Sequence, residues 1–174
     1  MKHLVLVGLP GAGKTTIGRA AAAQAGLPFL DFDEEIEKRT GLSPSELFRQ
    51  RGEPAFRSEE LALSRELFGR HTIVVSPGGG WITQTAAREA LRPQAWLVYL
   101  RVSPEVAAAR LGGAASNRPL LAGGDPVEAL GRLLAARQAL YESADQIVDT
   151  EVVGMQQVTE VVAEAARRCL KAAG

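Results

Sequence analysis

The residues best equipped for chemistry are Gly8-Leu-Pro-Gly-Ala-Gly-Lys-Thr15. They fill every fixed position of G-x-x-x-x-G-K-[ST], directly after the apolar run Leu4-Val-Leu-Val7 and ahead of a helical stretch from Thr15 to Ala25. Glycines there let backbone N–H groups turn toward one point, and the helix amino terminus adds its positive dipole end. Gly11, Ala12, Gly13, Lys14, Thr15 and Thr16 are thus the expected phosphate cradle. Lys14 can reach the β- and γ-phosphates of a nucleotide, and the Thr15 hydroxyl can bind Mg²⁺. A glycine-rich turn with an incidental lysine is the alternative, and the strand before and helix after speak against it.

A second cluster, Asp31-Phe-Asp33, follows the short apolar run Pro28-Phe-Leu30. Carboxylates at i and i+2 lie on one side while the chain is extended. One could help hold Mg²⁺; the other could bind or deprotonate an acceptor hydroxyl poised for in-line attack. The spacing predicts that Asp33 caps the next helix and leaves Asp31 at the strand edge beside the glycine loop. The nucleotide motif leaves the acceptor open. No N-K-x-D guanine motif occurs, which argues against a GTPase, and the third strand ends in Ser76-Pro77-Gly78 without an acid, which argues against motor-type ATPases.

Positioning these residues requires a scaffold, and the apolar pattern supplies one. Strands are expected at Leu4–Val7, Pro28–Leu30, Thr72–Val75, Ala95–Leu100 and Gln146–Val148, alternating with helices. The helical region from Asp33 to about Phe68 is broken at Gly41–Pro44 and Gly52–Pro54, and Ser43-Pro44 with Glu46 reads as a helix start. Runs that are apolar without strict alternation imply a parallel sheet covered on both faces, with ligands beyond its carboxyl edge. The 174 residues suit a single domain of residues 1–174 with a real core. Twenty basic and twenty acidic residues give no excess for nucleic acid. No apolar run reaches membrane-spanning length. The single Cys169 fits a packing role and a reducing, cytoplasmic setting.

Taken in order, Gly8 to Arg19, Asp31 to Asp33, Phe56-Arg-Ser-Glu-Glu60, Gly78-Gly-Gly80, Arg118-Pro-Leu-Leu121 and Arg137-Gln-Ala-Leu-Tyr141 make the chain resemble the shikimate kinase family over nearly its whole length. The resemblance implies a three-layer α/β/α P-loop kinase fold with a central five-stranded parallel sheet, a helical substrate-binding region at about 31–62 and a mobile lid at about 112–124. It implies ATP as co-substrate with Mg²⁺, and transfer of the γ-phosphate to the 3-hydroxyl of shikimate. Arg57 and Arg137 match the arginines that clamp the carboxylate, a task suited to a guanidinium fork. Asp33 matches the aspartate that binds the ring hydroxyls and positions the attacking one. Asp31 is left with Thr15 for the metal. Gly78, Gly79 and Gly80 match a run whose backbone approaches the substrate. Phe48 and Phe56 would wall the ring, and Glu60 would orient Arg57. Arg118, on the lid, would neutralise charge on the transferring group, so Lys14, Asp33 and Arg118 form the expected catalytic set. Arg110 would stack on adenine. A monomer acting on small molecules, without nucleic acid or membrane, is expected.

The chain departs from the family pattern in two places. Pro77 and Trp81 flank the glycine run, where small residues are usual, so Trp81 either packs behind the loop or reshapes the pocket. Asp149–Gly154 lacks the proline often found against adenine. Rival readings are a gluconate kinase, which also needs a carboxylate clamp, and a non-catalytic ATP-binding module. A nucleoside monophosphate kinase is disfavoured because D-G-[FY]-P-R is missing.

Overall fold

The computed structural model describes residues 2–112 and 124–171. Five strands form one parallel sheet: β1 (His3–Val7), β2 (Phe29–Asp31), β3 (Val74–Ser76), β4 (Ala95–Arg101) and β5 (Gln146–Asp149). Their order is β2-β3-β1-β4-β5. All five residues of the central β1 are buried, which is why its sequence is a continuous apolar run. The parallel register sets Asp31 beside Ser76 and Val7 beside Tyr99. Both acids and the segment leading into the glycine run therefore meet at the carboxyl edge of the sheet.

Among the described residues seven helices surround it: α1 (Lys14–Ala25), α2 (Phe32–Thr40), α3 (Pro44–Glu66), α4 (Thr85–Leu91), α5 (Pro104–Leu111), α6 (Pro126–Glu142) and α7 (Met155–Lys171). α1 packs on α7, α3 on α4 and α5 on α6. Cys169 is buried in α7, consistent with a packing role. Among the described residues no helix is long and apolar enough to cross a membrane.

The expected breaks in the 33–68 region are present. Ser43 and Glu46 form a reciprocal capping box with Pro44 in the first turn, and Gly52 interrupts α3 at φ 80°, ψ 168°. One local expectation is corrected. Asp31, not Asp33, caps α2: it is extended at φ −98°, ψ 126°, and its side chain accepts from the N–H groups of Asp33 and Glu34. Because helical geometry begins at Phe32, Asp33 falls inside the first turn. The sequence reading also omits α4 and the 3₁₀ turn Trp81–Thr83 that precedes it. α4 has only seven residues and Gln84 gives it no side-chain cap, so neither periodicity nor a start signal marks it.

Candidate active site

The phosphate loop is shaped by close backbone packing. Gly11 lies at φ +84°, and a β-carbon there would overlap the Ala107 carbonyl of α5. Only glycine satisfies both conditions. No side chain caps the amino terminus of α1, as an anion site requires. Lys14 Nζ folds back over the loop and donates to the carbonyls of Gly8 and Leu9, each at 2.9 Å. Ala12 stands apart from its neighbours. Its side chain is in the core and its N–H donates to the Leu9 carbonyl, so here it offers the cleft no donor.

Beside this loop the Thr15 hydroxyl donates to Asp31 Oδ2 at 2.6 Å. Asp31 Oδ1 accepts from the Asp33 N–H at 2.9 Å. One hydroxyl and one buried carboxylate at the phosphate cradle are the donor set Mg²⁺ takes when substrate phosphates and water complete its octahedron. The described residues hold no cluster of three or more acidic, histidine or cysteine ligands, so a self-sufficient metal cage is not built from them. Asp33 is half-buried, and its Oδ1 lies 3.3 Å from where a β-carbon of Gly78 would sit.

A buried polar assembly stands behind Gly78–Gly80. Glu60 is fully buried; its Oε2 accepts from Arg57 Nη1 at 2.7 Å and from the Gln84 amide. Its Oε1 has no hydrogen-bond partner among the described residues and lies 2.7 Å from a β-carbon built on Gly78. Burial pushes the Glu60 carboxyl up to about 7; Arg57 opposes that shift and nearby Asp33 adds to it. Burial works against the charge on Arg57, but the attraction of Glu60 and Glu53 prevails and raises its pKa. The guanidinium is held by both acids and lies across Gly80, where a β-carbon would overlap it.

Phe48 and Phe56 pack at 4.8 Å between ring centroids, beneath Arg57. Phe56 belongs to the core, leaving the half-buried Phe48 as the more accessible of the two. Trp81 packs behind the loop. It is fully buried, and its indole N–H donates to Ser64 Oγ at 2.9 Å while Ser64 donates to the Glu60 carbonyl. Arg137 is buried on α6 and donates through Nη1 to the Gly79 carbonyl at 2.9 Å.

A cleft of about 420 Å³ joins the phosphate loop, Asp31, Asp33, Gly78 and Gly79 to Arg110. Arg57, Gly80 and Arg137 do not line it; they stand behind its glycine wall. At its far end both Arg110 Nη groups are held by Thr150, one on the hydroxyl and one on the carbonyl, and Met155 and Val158 line the same end. Arg118 and the expected lid lie outside the described residues, apart from the lid's ends. Sequence reading missed Gln84, Tyr141 and Thr150 as partners of site residues. Only Tyr141 carried a signal, its i, i+4 spacing from Arg137.

Over residues 10–169 the sequence matches the family model described as Shikimate kinase. A shikimate kinase of Pseudomonas syringae pv. tomato is 45% identical over 152 residues, covering 87% of this chain and 88% of that one. The structure of shikimate kinase from Acinetobacter baumannii in complex with shikimate superposes with a TM-score of 0.86 at 37% identity, over 98% of this chain and 94% of that one. A gluconokinase from Sinorhizobium meliloti reaches a TM-score of 0.60 at 20% identity, over 98% of this chain and 94% of that one, which marks shared architecture only. With its phosphate loop, acid pair and arginine-backed glycine run on one five-stranded parallel sheet, the chain belongs to the shikimate kinase family.

Proposed function

We propose that the chain transfers the γ-phosphoryl group of ATP to the 3-hydroxyl of shikimate, giving shikimate 3-phosphate and ADP, as a cytoplasmic monomer. One observation carries the division of labour: a single cleft runs from the phosphate loop past Asp31 and Asp33 to Gly78 and Gly79, with Arg57 and Arg137 fixed behind that wall.

In this reading Gly11, Gly13, Thr16 and Lys14 hold the ATP phosphates, and Arg110 offers a flat cation to the base. Thr15 and Asp31 hold Mg²⁺, which when bound supplies charge neutralisation on the phosphates. Asp33 accepts hydrogen bonds from the ring hydroxyls, orients the 3-hydroxyl for in-line attack and takes its proton. Arg57 and Arg137 bind the carboxylate through the guanidinium donors that Glu53, Glu60 and Gly79 leave available, with the backbone of Gly78–Gly80 against the ring. Arg118 delivers a further cation from the lid. Catalysis is then positioning plus electrostatic stabilisation.

A coupled ADP-release assay with shikimate, gluconate and no acceptor tests the assignment. Turnover that requires shikimate is expected. Turnover with gluconate alone would establish the rival sugar-acid kinase, and ATP binding without any transfer would leave a non-catalytic module.

A further inference from the structure

The Gly79 carbonyl is held by two donors from one helix. Arg137 Nη1 reaches it at 2.9 Å and the Tyr141 hydroxyl at 3.2 Å. The two residues are four apart on α6 and so share a face. Together they occupy both lone pairs of the carbonyl oxygen. On its other side Gly79 abuts the phosphate loop: a β-carbon there would lie 3.4 Å from the Pro10 ring. Gly79 is thus wedged between the loop that holds nucleotide and the helix that carries Arg137.

Tyr141 is rigid. It is fully buried, and its ring stacks on Tyr99 at 5.0 Å between centroids and 14° between planes. Tyr99 in turn pairs with Val7, the last residue of β1 before the phosphate loop. The phenol is therefore anchored to the centre of the sheet, and its hydroxyl is delivered to Gly79 from a fixed point.

We propose that Tyr141 is a positioning residue for shikimate: its hydroxyl fixes the Gly79 carbonyl where that oxygen orients Arg137. An arginine with one N–H committed to an immobile carbonyl presents its remaining donors in a set plane, which suits bidentate capture of a carboxylate. The Tyr141 hydroxyl also interacts with the Arg137 side chain; without it, Arg137 and the Gly79 carbonyl each lose a fixed partner, and both gain freedom that substrate binding must remove. The bland alternative is a buried tyrosine that merely satisfies its own hydroxyl.

The proposal rests on the shikimate reading above, and the two fail separately. Wild-type protein that cannot use shikimate defeats the reading; wild-type turnover with an unaltered Tyr141→Phe variant defeats the proposal alone. Phenylalanine keeps the stack on Tyr99 and removes only the hydroxyl. Steady-state kinetics of Y141F should show KM for shikimate raised about 5- to 10-fold, the cost of ordering one freed side chain on binding. The values of kcat and KM for ATP should stay near wild type, while the thermal midpoint falls modestly with the buried hydrogen bond. Tyr99→Phe is the companion variant, since it removes a hydroxyl from the same ring stack without touching Gly79, and its KM for shikimate should not move. An unchanged KM for shikimate in Y141F, parallel losses in both substrates, or an equal effect in Y99F overturns the proposal. Should Y141F fail to fold while Y99F folds, the hydroxyl is structural and the proposal is likewise overturned.

Discussion

Thr15 and Asp31 are joined by a 2.6 Å hydrogen bond across sixteen residues of sequence, and the same Asp31 carboxylate caps α2 through its other oxygen. One side chain thus ties the phosphate loop to the start of α2. The two duties separate by substitution. Asp31→Ala should lose the cap, costing about 1 kcal/mol of stability, together with most activity. Asp31→Asn keeps a good capping side chain and should melt near wild type, yet require more Mg²⁺ because the negative charge is gone. Thermal melts and Mg²⁺ titrations of ADP release check this. An Asn variant with unaltered Mg²⁺ dependence would remove Asp31 from the metal site.

Gly80 makes a sharper test of the substrate half. A β-carbon there overlaps the Arg57 guanidinium, the far end of a flexible side chain, so the fold can survive by displacing it. Gly80→Ala should therefore weaken shikimate binding roughly 10-fold or more, as a charge-assisted hydrogen bond is lost, with ATP binding preserved. Calorimetric titration of each substrate distinguishes this from general destabilisation, which would weaken both.

Much of this arrangement was legible in the sequence because it depends on local rules. The phosphate loop, the break at Gly52 and the Ser43–Glu46 capping box each need only a few adjacent residues to be recognised. The arginines were found through their motifs, not through any pattern of burial or charge. What stayed hidden depends on contacts across the fold. Gln84 reaches Glu60 over 24 residues from the start of a helix too short to show periodicity, and Thr150 holds Arg110 from 40 residues away. Asp31 and Asp33 exchanged the capping role because a one-residue shift of helix start decides which acid remains extended. Trp81 could have filled the pocket or backed it; only the placement of Ser64 on α3 gives its indole N–H a buried partner.

Arg137→Ala should abolish the carboxylate clamp while leaving the nucleotide end intact. The side chain is buried and bonded to Gly79, so its loss removes both a cation and a tether. Shikimate affinity should fall on the order of 10- to 100-fold, the range for hydrogen bonds to charged groups. ATP affinity should change little. Equilibrium binding of each ligand is the measurement, and equal losses for ATP and shikimate would contradict the division of the cleft.

Glu60 links the site to pH. Its carboxyl is fully buried, one oxygen lacks a partner among the described residues, and burial lifts its pKa from an ordinary 4.5 to about 7 despite Arg57. A folded-state pKa above the unfolded one means that the native protein binds more protons between those values. The resulting stabilisation is present in full below the unfolded pKa and is lost as pH rises through about 7. Glu60→Gln keeps the size and an acceptor for Arg57 but cannot ionise. Urea unfolding between about pH 5 and pH 8 should therefore show wild type losing stability relative to E60Q as pH rises toward about 7, with the difference levelling off above it. Curves that run parallel over that interval would mean that Glu60 ionises near its ordinary value, with Arg57 outweighing burial.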